Sequence, residues 1–321
     1  MYVHFWGTRG SLPVSMTAEA VRGKIRLALL ESRKHKIETD RDVEAFLETL
    51  PFFVRGTYGG NTSCVEIGGG KETVLCDAGT GLRDFGNAFL KSGRGSGTNN
   101  AVFHLFITHV HWDHIQGFPF FVPAYMPGNQ VVIYGVHRDL KRSITHQQDP
   151  PFFPAPLSSM RGDIRFVTLE EDRDYEIAGL TVRAIQQNHP GDSYGYSFAG
   201  NGRKIVYATD AEHKKENNPG TDGFVEFFRD ADLLIFDAQY TLLDAIDTKE
   251  NWGHSSNLTA VELAVQAGVK RLCLFHTEHS YSDEVIDQFC RDTRKYLKIH
   301  AEAERHPMEI MAAYDGLRID L

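Results

Sequence analysis

Cysteine is scarce in this chain: four residues in 321 (Cys64, Cys76, Cys273 and Cys290), none in a C-x-x-C pair. That excludes a disulfide framework and fits reduced, buried thiols. Long apolar runs are also missing. None approaches the roughly 18 residues that span a bilayer, and the opening MYVHFWGTRG has neither a basic n-region nor a long apolar h-region. The expectation is a cytoplasmic protein without membrane contact. Positive charge is in deficit, Lys+Arg 34 against Asp+Glu 43 for a formal net charge of −9, which argues against coating nucleic acid through a broad basic field. A local basic groove stays compatible with that balance.

Internal repeats and interdomain linkers are absent too, so 1–321 reads as a single domain of ordinary globular composition, 41% hydrophobic and 11% aromatic. Short β-branched or alternating runs recur between glycine-rich turns: 73–76, 102–108, 131–134, 164–169, 180–185, 204–208 and 233–236. Helical patterns lie among them at 17–32, 40–50, 115–121, 258–267 and 283–297, each opened by a polar cap or an acidic first turn. The fold class is α/β (α+β). The charged stretch Met16 to Leu50 interrupts the strand-turn pattern and reads as an inserted helical segment, a flap or an oligomer surface. Residues 92–98 read as an exposed loop, and the proline- and phenylalanine-rich stretch 146–160 as a packed loop or a substrate-contacting lid.

The chemistry concentrates in Thr108-His109-Val110-His111-Trp112-Asp113-His114, where an apolar strand ends in four metal-ligand side chains within six positions. Neutral imidazoles and carboxylates suit zinc, and also manganese or iron, while the lack of thiolates argues against a closed structural zinc site. His109, His111 and Asp113 alternate. If the backbone stays extended they share one side, and a helix beginning at Ile115 turns His114 toward a second centre. Two divalent ions fit that arrangement. His104, in the strand before, reads as a packed histidine.

This His-x-His-x-Asp-His string resembles the signature of the metallo-β-lactamase superfamily. Further residues match in order: His189 in Asn188-His189-Pro190, Asp210 after the strand Val206-Tyr207-Ala208, and His276 in Leu274-Phe275-His276. The resemblance runs from Phe5 to His276 and implies a four-layer αβ/βα sandwich with the active site along one edge. It implies one metal on His109, His111 and His189, a second on Asp113, His114 and His276, and Asp210 bridging them. A water on such ions ionises near neutral pH and becomes the nucleophile.

The second half of the sequence narrows the resemblance. Leu234-Ile235-Phe236-Asp237 followed by Gly253-His254-Ser255-Ser256 looks like tRNase Z and its relatives, which include cyclic-nucleotide phosphodiesterases. There an acidic residue supports a histidine that donates a proton to the leaving oxygen, the role implied for Asp237 and His254. The Asp77-Ala78-Gly79-Thr80-Gly81 turn resembles one these hydrolases carry below the metals, with Asp77 as an orienter of a ligand histidine rather than a ligand. The opening turns 6–11 and 58–63 resemble motifs of the same subgroup, and Ser193 and Tyr194 are weaker candidates for substrate contact.

The expected function is a dinuclear phosphodiesterase acting on a small phosphodiester, foremost a cyclic nucleotide. The alternatives are a tRNA 3′-processing endonuclease and a lactonase or thioesterase of the same superfamily. The interval from His114 to His189 shows no glycine-rich basic arm for gripping tRNA, which favours the small substrate. A homodimer through the inserted helices is a further expectation.

Overall fold

A computed structural model describes residues 1–93, 100–213, 220–240, 252–299 and 307–321. Of the loop expected over 92–98, residues 94–98 lie outside these. The first sheet holds β1 (Tyr2–Gly7), β2 (Cys64–Gly68), β3 (Thr73–Cys76), β4 (Val102–Phe106), β5 (Gln130–Gly135), β6 (Asp163–Thr168) and, at its other edge, β14 (Arg318–Asp320). Its order is β14-β1-β2-β3-β4-β5-β6. The second holds β7 (Tyr175–Ile177), β8 (Leu180–Gln187), β9 (Ser193–Gly200), β10 (Arg203–Ala208), β11 (Leu233–Asp237), β12 (Arg271–Phe275) and β13 (Glu309–Ala312), in the order β13-β12-β11-β10-β9-β8-β7.

Both sheets are mixed in the same way. β3 to β6 run parallel, as do β10 to β13, while the remaining pairs are antiparallel. Sequence mirrors this division. The antiparallel strand β8 alternates, with Leu180, Val182 and Ala184 buried and Arg183 outward, whereas every residue of β11 is buried. A parallel strand covered on both faces needs such a continuous apolar run.

Between the sheets, Val3, Phe5, Val65 and Phe106 meet Val182, Tyr196, Phe198, Tyr207 and Phe275. Outside the second sheet, Leu234, Phe236 and Leu274 pack on helices Asn257–Gln266 and Asp283–Ile299. Outside the first, Leu75, Phe103 and Leu105 pack on helix Gly81–Lys91. The four layers are helices, sheet, sheet and helices, as the resemblance implied.

The stretch Met16 to Leu50, expected as an inserted helical segment, forms helices Ala18–Ser32 and Asp40–Thr49, and a short helix Phe52–Arg55 follows it. Thr17 caps the first by accepting from Ala20 N, and Thr39 with Asp42 forms a capping box on the second. Phe46, Leu50 and Val54 make a small satellite core. Helix Ala18–Ser32 buries no residue fully and leaves Val21, Ile25 and Leu29 exposed. It is tied to the body by Lys24, whose ammonium donates to Phe53 O, to Gly56 O at 2.7 Å and to Asp283 Oδ2 at 2.6 Å.

The helix expected over 115–121 is displaced. A single turn spans Trp112–Ile115, and 3₁₀ turns succeed it at Phe118–Phe120 and Val122–Tyr125. Pro119 and Pro123 lack the N–H that would extend an α-helical ladder. Asp113 and His114 therefore ride on a helical turn rather than on an extended strand end. In the 146–160 stretch Phe153 packs edge-on against Phe120, at 5.4 Å between ring centroids, while Phe152 is exposed. His104 is packed as expected, between Tyr134 and Glu72.

Candidate metal centre

The site collects at the carboxyl ends of the parallel strands. Asp77 comes directly after β3, His109 lies three residues beyond β4, Asp210 two beyond β10, and His276 directly after β12. Three of these four are left-handed, with φ of 62° at Asp77, 54° at Asp210 and 56° at His276. For a residue with a Cβ this region is costly and clusters at functional sites. Here it ends each strand abruptly and turns its side chain to one common edge.

Two groups of donors result, His109, His111 and His189 in one and Asp113, His114, Asp210 and His276 in the other; within each, the ligand atoms lie within 4.8 Å of one another. His111 Nδ1 is 2.9 Å from His109 Nε2 and 3.1 Å from His189 Nε2. In the second group His276 Nε2 lies 3.2 Å from His114 Nε2 and 3.1 Å from Asp113 Oδ2. Asp210 reaches both groups, with Oδ2 3.5 Å from His109 Nε2 and 3.3 Å from His114 Nε2, and Oδ1 3.4 Å from His276 Nε2.

The opposite ring atoms explain why these nitrogens converge. His189 Nδ1 donates to Gly253 O at 2.8 Å, and His114 Nδ1 donates to Asp77 Oδ2 at 2.8 Å. Each partner fixes the proton on Nδ1 and leaves the Nε2 lone pair aimed into the cluster, the tautomer a metal requires. Burial holds His109, His111 and His189 below the ordinary imidazole range, so the first group stays neutral. Burial alone would protonate Asp113 and Asp210, but the adjacent His114 and His276 overrule it and hold both carboxyls well below the usual range. His114 goes the other way: burial opposes its charge, but Asp210, Asp113 and Asp77 outweigh it and push the imidazole well above its ordinary range, so a divalent cation at Nε2 would take a proton's place. The neutral imidazoles of the first group and the ionised carboxylates of the second fit a pair of such cations.

Asp77 belongs to neither group. Its fully buried carboxylate accepts from Thr108 N at 2.8 Å, Tyr207 OH at 2.8 Å, Thr108 Oγ1 and His114 Nδ1. It orients His114, in line with the sequence expectation. Tyr207 was not legible in that role; an inward aromatic in a strand carries no mark of what its hydroxyl will meet.

Asp237 and His254, 17 positions apart in the chain, are brought together, with His254 Nδ1 2.8 Å from Asp237 Oδ2. The His254 ring stands 5.1 Å from that of His189 and stacks 5.2 Å from that of His276. Burial opposes the charge on His254, but the Asp237 carboxylate outweighs it and the imidazole is pushed up to about 9.

The opening turn reaches the site as well. Ser11 N donates to Asp113 Oδ2 at 2.8 Å, and Gly10 packs so tightly on His276 that a Cβ there would lie 2.6 Å from Nδ1. The glycines of that turn were visible in the sequence, but their neighbour was not. At the start of β9 the Ser193 hydroxyl donates to Thr209 O and the Tyr194 amide donates to Thr108 O.

A family model described as the beta-lactamase superfamily domain matches residues 72–277, a span containing every donor of both groups. A ribonuclease Z of Haloarcula marismortui is 25% identical over 284 residues, covering 71% of this chain and 85% of its own length. Among solved structures, the short form of human tRNase Z has a TM-score of 0.59 at 20% identity, covering 100% of this chain and 99% of that one. Unliganded yeast PDE1 has a TM-score of 0.62 at 13% identity, covering 81% and 95%. The two structures share the fold of paired mixed sheets, and the match over residues 72–277 shows that this chain belongs to the metallo-β-lactamase superfamily, as a metal-dependent hydrolase related to ribonuclease Z and to PDE1-like structures.

Proposed function

We propose that the protein is a dinuclear phosphodiesterase whose substrate is a small phosphodiester, foremost a cyclic nucleotide. The observation that carries this reading is the Asp237–His254 pair beside the cluster. Two divalent cations, zinc by first choice with manganese or iron as alternatives, would be held by His109, His111 and His189 on one side and Asp113, His114 and His276 on the other, with Asp210 between, and when bound they supply an activated water and neutralise phosphoryl charge. His254 has its Nδ1 committed to Asp237, so Nε2 is the atom left to give a proton to the leaving oxygen. Asp237 is fully buried and accepts from Ala211 N at 3.1 Å and Gln239 N at 3.2 Å, which fixes the imidazole's direction.

Substrate size is argued from the interval between His114 and His189. It folds back as β5 to β8, helix Leu140–His146 and turns, with no projecting basic arm, in a chain of net charge −9. The second reading, tRNA 3′-end processing, is favoured by the name of the relatives: ribonucleases Z of Haloarcula marismortui and Thermoplasma acidophilum are 25% and 26% identical to it.

One assay separates the two. Zinc- and then manganese-loaded protein is offered 2′,3′- and 3′,5′-cyclic nucleotides beside a precursor tRNA with a 3′ trailer. Turnover of a cyclic nucleotide with intact tRNA, weakly dependent on salt, is the expected result. Clean tRNA cleavage alone, with affinity falling steeply with salt, makes the second reading correct.

A further inference from the structure

The chain has three tryptophans, and they are used differently. Trp6 packs edge-on against Phe85 and donates to Glu66 Oε2 at 3.1 Å. Trp112 and Trp252 are 81% and 57% exposed. A single exposed aromatic is ordinary on a protein surface, but both of these are anchored at one edge of the metal cluster. Trp112 stands between His111 and Asp113, which belong to different donor groups. Trp252 precedes Gly253, whose carbonyl holds His189 Nδ1 at 2.8 Å, and His189 Nε2 lies 3.1 Å from His111 Nδ1. His111 is also the exposed member of its group, so this edge is where the cluster opens to solvent.

Among the described residues, the Trp112 side chain makes no hydrogen bond or ring contact. The turn Trp112–Ile115 commits Asp113, His114 and Ile115 to the interior and leaves its first residue outside. Tryptophan is only a middling helix former, and a small polar residue would serve there equally well. An indole instead presents a wide flat apolar face to water. With adjacent Cα atoms about 3.8 Å apart, Trp112 is joined directly to two residues of the donor set, His111 and Asp113.

We propose that Trp112, with Trp252 at the same edge, is a stacking platform for the nucleobase of a nucleotide whose phosphate sits on the metal cluster. This rests on the phosphodiesterase reading and deepens it: the substrate carries an aromatic base, and the base is held by its flat face. Stacking of this kind is tolerant of base identity, since every base has a π-face. The platform therefore selects nucleotides over base-free phosphodiesters without choosing strongly among bases.

The test is a binding preference that needs no turnover. Adenosine 5′-monophosphate and ribose 5-phosphate are titrated calorimetrically into zinc-loaded wild type, Trp112→Ala, Trp112→Phe and Trp252→Ala, with metal content and circular dichroism checked for each. Wild type is expected to prefer the base-bearing ligand about tenfold. Trp112→Ala is expected to erase most of that preference, Trp112→Phe to keep most of it, and Trp252→Ala to reduce it. A preference unchanged in Trp112→Ala, or absent in wild type, overturns the proposal. In parallel, KM is compared for a cyclic nucleotide and for glycerol cyclic phosphate. If wild type hydrolyses neither, the phosphodiesterase reading fails while the binding preference still decides the platform. If both are hydrolysed with the same KM ratio in wild type and Trp112→Ala, the platform fails and the phosphodiesterase reading stands.

Discussion

His254 and Asp237 form a buried pair, Nδ1 to Oδ2 at 2.8 Å, in which the carboxylate is itself held by two backbone amides. The imidazolium is thereby favoured and pointed at the cluster. His254→Ala is expected to keep its metals and lose roughly 10²- to 10⁴-fold in kcat, the range of a general acid. Metal content by plasma emission and steady-state rates check this together. Asp237→Asn tests the cause. Asp237 raises the pKa of His254, and the protonated form is the active one, so activity falls as pH rises through that pKa. Removing the carboxylate lowers the pKa and moves the alkaline limb of the pH–rate profile to lower pH. An unmoved limb would mean that another group sets it.

Asp210 touches both donor groups. Asp210→Ala is expected to lose metal and turnover together, unlike His254→Ala. Because the ligands converge only in the folded chain, metal binding should also add to folding stability. Chelation of the loaded protein is expected to lower Tm, and addition of zinc or manganese to restore it. Scanning calorimetry with and without chelator measures the difference.

Asp77 accepts from a backbone amide, two hydroxyls and His114, all buried. Asp77→Ala strands the Tyr207 hydroxyl and the Thr108 amide without a partner. Each buried unsatisfied group costs about 1–3 kcal/mol, so a total loss of about 2–6 kcal/mol is expected. Urea unfolding of the metal-free protein isolates this from any effect on metal affinity.

The sequence carried the cluster because metal ligation leaves dense local marks. Four donors in six positions have few other uses, Asp210 and His276 each follow an apolar strand, and His189 falls between them and the cluster in the expected order. Helix ends were legible where caps were present, as at Thr17, Thr39 and Ser256. The turn Trp112–Ile115 was not legible, because a single helical turn has no periodicity to detect. The apolar spacing from Ile115 to Phe121 imitates a helix, and Pro119 interrupts the ladder that such a helix would need. β13 and β14 escaped for a different reason: short strands joining a sheet far along the chain take their register from partners, here Leu272↔Ile310 and Val3↔Ile319, and not from their own pattern. Contacts of the opening turn with Asp113 and His276 lie beyond local sequence altogether, since they link residues more than a hundred positions apart.

Gly10 offers a direct test of that long-range contact. A Cβ at this position would lie 2.6 Å from His276 Nδ1 and 3.0 Å from its carbonyl oxygen. The backbone cannot yield easily, because Gly10 N donates to Thr277 O at 3.0 Å and Thr277 N donates to Thr8 O at 3.3 Å. The imidazole has to move instead, and with it a donor of the second group. Gly10→Ala is therefore expected to weaken metal binding about 10- to 100-fold, as displaced supports of a ligand histidine do elsewhere, read by competition with a fluorescent chelator. Gly23→Ala is the control. In helix Ala18–Ser32 a Cβ at Gly23 meets nothing within 4 Å, so that variant should gain about 0.5–1 kcal/mol in stability with metal affinity unchanged. Equal affinity in both variants would show that the opening turn does not support His276.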